Sequence, residues 1–208
     1  MPSSSDFGKL YSALMLKKMH EAMPFRDIFD VGVGEGTYHK WLAGELPGAS
    51  WTGIEVWPPY FDEFDLSNRY SRMVLGDIRT FDHRTLPELD LTIFGDVLEH
   101  MAKADAQTIV NQYLALCGVL LISIPVVPAP QGEVYGNPYE VHVKDDWSHD
   151  EVLASFPAIH AGLVHQNIGV YFLSAHAVRQ GQLRQLHAVI PGILRRKLPE
   201  NAIRWPQT

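Results

Sequence analysis

Four short apolar runs in this chain each carry an acid at or near their end. They are "RDIFDVG" with Asp30, "SWTGIEV" with Glu55, "SRMVLGD" with Asp77 and "LDLTIFGD" with Asp96. A fifth run, "VLLISIP", is halted by Pro125. Such short, continuously apolar stretches read as strands buried on both faces. Between them the spacing turns helical. "FGKLYSALMLKKMHEAM" (7–23) repeats apolar residues at Leu10, Leu14, Met15, Met19 and Met23 before Pro24 stops it. "GTYHKWLAGEL" closes at Pro47-Gly48, and "KADAQTIVNQYLALCG" sets Ile109, Tyr113 and Leu116 on one face. Buried strands alternating with helices call for a parallel sheet covered on both sides.

The style changes after residue 125. Residues 126–147 read as a loop rich in Pro, Gly, Tyr and Asn. Ser148 and Glu151 stand at capping-box spacing and open a helix over "SHDEVLASF". "HAGLVHQ" and "GVYFLSAH" then read as two paired strands, so the expected class is α/β with an antiparallel edge. Nothing in the 208 residues marks a domain boundary, and this length is enough for a single well-buried core.

Composition narrows the class. With 46% hydrophobic and 20% charged residues the chain is expected to be globular rather than disordered. Its single cysteine, Cys117, excludes an internal disulfide, fits a reducing compartment and reads as a small buried apolar residue. No signal peptide is visible at the start, and the longest greasy run, Gly118–Val127, is about half of a membrane span. A cytoplasmic protein, monomer or homodimer, is the expectation. The net charge of −7 is uneven: after Ala177 six Lys or Arg face one acid, while the remainder holds 11 basic and 23 acidic residues. An acidic body disfavours a nucleic-acid substrate. The basic tail (179–208) reads first as a solvated terminal helix, and second as a contact for a partner or an anionic surface.

The first acid leads into a glycine turn, "DVGVGEGTYHKWL", with Gly32, Gly34 and Gly36 alternating. Glycines there allow a sharp bend and close approach of a ligand to the backbone, and the following helix offers free N–H groups. The dinucleotide fingerprint G-x-G-x-x-G/A is not met, because Thr37 stands where the last small residue belongs. In an open parallel sheet, ligands bind at the carboxyl ends of the strands. Asp30, Glu55, Asp77 and Asp96 would gather there, with Glu35 in the turn itself. A pyrophosphate would meet several like charges, each contact worth on the order of a few kcal/mol. A ligand carrying a sulfonium, an ammonium, one carboxylate and a ribose suits such a rim better. Glu55, about 20 residues beyond the glycines, is placed to accept ribose hydroxyls. Asp77 is either an acceptor for an adenine amino group or a loop cap.

These pieces resemble the class I S-adenosylmethionine-dependent methyltransferases, most of all their small-molecule branch. "DVGVGEGTYHKWL", "GIEVWPPY", "VLGDIRTF", "LTIFGDVLEHM" and "VLLISIPVV" follow the family's order over residues 26–127. The resemblance implies a Rossmann-like, doubly wound sheet of seven strands, mostly parallel with an antiparallel edge strand, and helices on both faces. It implies an N-terminal helix (1–24), a cofactor-binding half (25–125) and an acceptor side with closing strands (126–178). It implies S-adenosylmethionine as cofactor. Asp30, Gly32, Gly34 and Gly36 would hold its methionine part, Glu55 the ribose, Asp77 and Ile78 the adenine. Asp96 and Val97 would lie beside the methyl-donating end. Residues 128–147 match no pattern and fall where the family builds its acceptor pocket.

Methyl transfer to a small-molecule O, N or C nucleophile needs alignment first, and a base only where the acceptor holds its proton near neutral pH. His100 and His142 are the candidate catalytic bases, with Glu99 able to orient His100 or to pair with an Arg. Tyr135, Tyr139 and Trp147 read as pocket walls. Asp145, Asp146 and His149 read as a solvated helix start rather than a metal site, and no HExxH or cysteine pair is present, so no metal is expected. Two other readings compete with this one. An NAD(P)-dependent oxidoreductase lacks its Tyr-x-x-x-Lys pair here, since Val143 stands at the lysine position after Tyr139. A non-catalytic binding module would have no physical need for the glycines and acids together.

Overall fold

The five apolar runs form β1 (Asp27–Val31), β2 (Ser50–Glu55), β3 (Arg72–Leu75), β4 (Leu89–Gly95) and β5 (Cys117–Pro125), all mutually parallel. β6 (Ile159–His165) and β7 (Ile168–Leu173) add antiparallel to β5, and a two-residue β8 (Ile203–Arg204) pairs with β6. The order is β3-β2-β1-β4-β5-β7-β6-β8. This is the expected Rossmann-like doubly wound sheet, with β8 as a short addition at the edge. The computed structural model describes residues 6–197 and 203–204, with side chains for 7–194. The side chains of Arg195, Arg196, Lys197 and Arg204, most of the expected basic patch, lie outside the described residues.

Alternation along each strand builds two cores. Phe29, Val31, Phe94, Leu120, Ile122 and Ile124 face the layer of α5 (Lys103–Leu114) and α6 (His149–Ser155). There Phe29 stacks on Tyr113 with ring centroids 5.5 Å apart. Ile28, Leu91, Ile93, Val119, Leu121 and Phe172 face α1 (Asp6–Ala22) and α7 (Ala177–Lys197). Tyr11, Met15 and Met19 of α1 and Leu183, Ile190 and Leu194 of α7 are buried in that second core. Each such side chain contributes about 1.5–3 kcal/mol by leaving water. The terminal helix is therefore a packed layer and not a solvated tail. Its Arg179 is buried, with the guanidinium 4.9 Å from the Phe25 ring centre.

Local departures have local causes. α2 covers only Thr37–Leu42 and gives way to turns before Pro47. Two short helices, α3 (Pro59–Glu63) and α4 (Leu66–Arg69), fill the β2–β3 connection. Ser148 caps α6 by accepting from the Glu151 N–H at 3.2 Å. The reciprocal half of the capping box is missing, because the Glu151 carboxylate turns to Lys103 (2.8 Å) and Lys144 (3.0 Å). Cys117 is buried at the start of β5, where burial pushes its thiol up to about 12.

Candidate functional site

The chain runs outward from β1 to β3, then crosses back to β4, so the order in which strands are added reverses between β1 and β4 while the strands stay parallel. A crevice opens at the carboxyl ends of such a pair. Here it is a cavity of about 330 Å³, within the range of small-ligand sites. The glycine turn forms one wall. Gly32, Gly34 and Gly36 all have positive φ, at 61°, 53° and 71°. That is the left-handed region, which costs other residues about 1–2 kcal/mol each. Gly32 N–H donates to the Ile54 carbonyl at 2.9 Å, fixing the turn on β2. Arg69 of α4 braces it from behind, donating at 2.8 Å to the carbonyls of Glu35 and Gly36.

Asp30, Glu55, Asp77, Asp96 and Glu35 all line this cavity, joined by Glu99 and Glu140; Lys9 and Arg79 are the cationic side chains on its wall. Asp30 is buried and accepts from the Tyr70 hydroxyl at 2.7 Å. Burial pushes its carboxyl up to about 7, with the Tyr70 hydrogen bond and the Arg69 charge opposing and the Glu55 charge adding. Glu55 accepts from the N–H of Gly34 at 2.9 Å, and of Val56 and Trp57 at 2.8 Å each. Burial still raises its carboxyl against those three donors. One of its roughly four lone-pair positions is left for a ligand. Asp77 caps its own loop, accepting from the Arg79 N–H at 2.9 Å and pairing with the Arg79 guanidinium, which holds its carboxyl below the usual range. Asp96 has a positive φ of 58° and accepts from the Ser123 hydroxyl at 2.8 Å.

The opposite wall comes from the turn after β4 and the 126–147 loop. A 3₁₀ turn, Leu98–His100, carries Glu99 and His100 into the cavity. The Glu99 carbonyl accepts from the N–H groups of Val143 (2.9 Å) and Lys144 (3.0 Å), which straps the loop to the turn. His142 thereby meets His100 edge to face, ring centroids 4.8 Å apart. Nδ1 of His100 lies 3.2 Å from the Val141 carbonyl, and Nδ1 of His142 lies 2.5 Å from that of Ala129. Burial, then the neighbouring His142, lowers the pKa of His100, while Glu140 and the carbonyls of Val141 and Asp96 oppose. Burial, reinforced by Asp96, raises the Glu99 carboxyl well above its usual value.

No protein-family model and no curated protein matches the sequence. Solved structures do match in fold. An S-adenosylmethionine-dependent methyltransferase from Clostridium acetobutylicum superposes with a TM-score of 0.62 at 12% identity, covering 82% of this chain and 92% of that one. The N-terminal domain of EvdMO1 with SAH bound gives 0.58 at 16% identity, over 83% and 82% of the two chains. The mitomycin 7-O-methyltransferase MmcR gives 0.57 at 18% identity, over 81% and 53%. The chain has the class I methyltransferase fold. It spans about half the length of the mitomycin enzyme, and 55% of another matching structure, from Nostoc punctiforme.

Within this methyltransferase fold the cavity gathers most of the residues singled out in the sequence. Gly32, Gly34, Ile78 and Val97 line it beside the acids, as do His100 and His142. Gly36 does not: it is turned toward Arg69, against whose guanidinium an added Cβ would collide. Its glycine serves the turn and not the cavity surface. Of the three expected aromatic walls only Tyr139 lines the cavity. Tyr135 is 91% exposed, and Trp147 is buried in the α5–α6 core with Lys144 stacked over it at 5.2 Å. Glu99 neither pairs with an Arg nor bonds His100 by any recorded contact; its Oε2 has no hydrogen-bond partner. Asp145, Asp146 and His149 are not a cluster either, since Asp146 pairs with Lys144 and His149 Nδ1 lies 2.7 Å from the Tyr171 hydroxyl. Sequence reading missed Lys9, Arg69 and Tyr70. A lysine on a surface-type helix and an Arg-Tyr pair before a strand carry no spacing that marks them. Among the described residues no helix is long and apolar enough to cross a membrane.

Proposed function

We propose that the protein transfers the methyl group of S-adenosylmethionine to an oxygen, nitrogen or carbon nucleophile of a small-molecule acceptor. The observation that carries this reading is the acid-rich cavity under a three-glycine turn at the β1/β4 reversal. A cationic, ribose-bearing ligand complements that wall, and a dinucleotide pyrophosphate does not. Bound there, S-adenosylmethionine would supply a methyl group on a positively charged sulfur. Asp30 would face its ammonium, the Gly32–Gly34 backbone would let the methionine part approach, and Lys9 would pair with its carboxylate. Glu55 would accept from the ribose, and Asp77 with Ile78 would border the adenine. Asp96 and Val97 would flank the reacting end.

His100 and His142 sit on the acceptor side of the same cavity. Held neutral by burial, His100 can take the proton of an acceptor hydroxyl near neutral pH. The remaining task is alignment and exclusion of water, which the strapped 126–147 loop performs. Orientation of this kind contributes roughly 7–11 kcal/mol in favourable cases.

Calorimetric titration of the purified protein tests the cofactor. S-adenosylmethionine and its demethylated product should bind, with the signal lost in Asp30→Ala and Glu55→Ala. Binding of NAD or NADP in their place would overturn the charge argument and the function built on it.

A further inference from the structure

We propose that Glu99, His100 and His142 form a binding site for a divalent first-row transition ion at the acceptor end of the cavity. One ligand atom from each residue lies within 4.8 Å of the others, in the only such cluster among the described residues. Donors bound at about 2.1 Å to one ion stand roughly 3–4 Å apart, so a contraction of about an ångström completes the set. The three come from two segments, the turn after β4 and the far end of the 126–147 loop, and backbone hydrogen bonds hold those segments together.

Two further features point to an ion. The first is Glu99. Its side chain is 2% exposed in all, and its Oε2 is fully buried with no hydrogen-bond partner. A buried carboxylate oxygen left unpaired is costly, and a cation in the cavity would satisfy it. The second is the orientation of the imidazoles. Each turns Nδ1 toward a backbone carbonyl, Val141 for His100 and Ala129 for His142. Metal-bound histidines are commonly held this way, with the other ring nitrogen as the donor.

The chemistry of the set selects the ion. Two imidazoles and one carboxylate favour Mn²⁺, Co²⁺, Fe²⁺ or Zn²⁺ over Mg²⁺, which prefers oxygen alone. Three protein ligands leave positions open. Asp96 and Glu140 line the same cavity. Resting on the methyltransferase reading above, the open positions would take the oxygen atoms of the acceptor, an alcohol or vicinal diol. The ion would lower the pKa of the bound hydroxyl, so that its proton is released to water rather than to His100, and would hold the oxygen in line with the methyl group.

The test uses the full chain after chelator treatment, titrated with Co²⁺ and followed by its visible absorption, with Mn²⁺ calorimetry alongside. One ion per chain is expected, with affinity falling more than about tenfold in His142→Gln and in Glu99→Gln. Binding of the demethylated cofactor product, measured on each variant, shows that the fold and the cofactor half survive. A vicinal diol added to the Co²⁺ form should shift its spectrum. Absence of stoichiometric binding in protein that still binds the cofactor product overturns the metal site and leaves the methyltransferase reading standing, with His100 and His142 as bases. Metal binding unchanged in both variants overturns it as well. Metal binding that the variants abolish, in protein that binds no cofactor product, supports the site and removes its role in methyl transfer.

Discussion

Asp30→Asn should make the ligand-free protein more stable at alkaline pH and change little at acid pH. The Asp30 carboxyl is buried to 3% exposure, and its pKa rises from the usual 3.8 to about 7. Tyr70, Arg69 and Glu55 are the charged and titratable groups acting on it. A carboxyl whose folded-state pKa is raised stabilises the fold fully below its unfolded pKa, and that contribution is lost as pH climbs through the folded value. Between pH 5 and about 7 the loss is about 1.4 kcal/mol per pH unit, so about 3 kcal/mol in all by pH 8. Asparagine keeps the shape and an acceptor for the Tyr70 hydroxyl but carries no charge. The variant's stability minus that of the wild type should therefore grow by about 3 kcal/mol from pH 5 to pH 8. Urea unfolding at both pH values reads this directly. A difference that stays constant across the range would refute the buried-charge argument. The same substitution should weaken cofactor binding, because the negative charge that opposes stability is the one a cationic ligand uses.

Two glycines separate backbone need from space. Gly32→Ala places a methyl 2.6 Å from Val97 Cγ2 at a φ of +61°, so it should cost about 2 kcal/mol or more and abolish cofactor binding. Gly34→Ala meets nothing within 4 Å, so it should cost only about 1 kcal/mol while still weakening the cofactor; equal melting-temperature losses would contradict this. Lys9→Ala should lower affinity for the demethylated product but not for an analogue lacking its carboxylate. A uniform loss on both would remove Lys9 from the carboxylate contact.

The strands were readable because burial on both faces leaves an unbroken apolar run, and parallel pairing then delivers Asp30, Glu55, Asp77 and Asp96 to one end of the sheet. Their partners were not readable. Arg69 reaches the glycine turn from a four-residue helix, too short for any periodicity to show. The sequence leaves Asp77 open to an adenine contact or a loop cap; in the structure it forms the cap, which an Asx turn makes from neighbours alone. His142 was one of ten histidines. What singles it out is the path of a loop, fixed by N–H donors of Val143 and Lys144 on a carbonyl more than 40 residues back. The loop address of Trp147 suggests a pocket wall, yet its ring is buried in the α5–α6 core, flanked by Lys103 and Lys144.

The antiparallel end of the sheet also orders events in time. β7 lies between β5 and β6, and the helix that bears Lys9 packs on α7, β6 and β7. The Tyr11 hydroxyl meets His187 at 2.9 Å, 176 positions later. On a ribosome β1, β4 and β5 can offer the first helix part of its resting surface, whereas the face it turns to the hairpin and α7 stays uncovered until those follow. Such distant pairings are slow to close. The helix that carries Lys9 into the acidic pocket is thus the first made, yet its packing is completed only by the end of the chain.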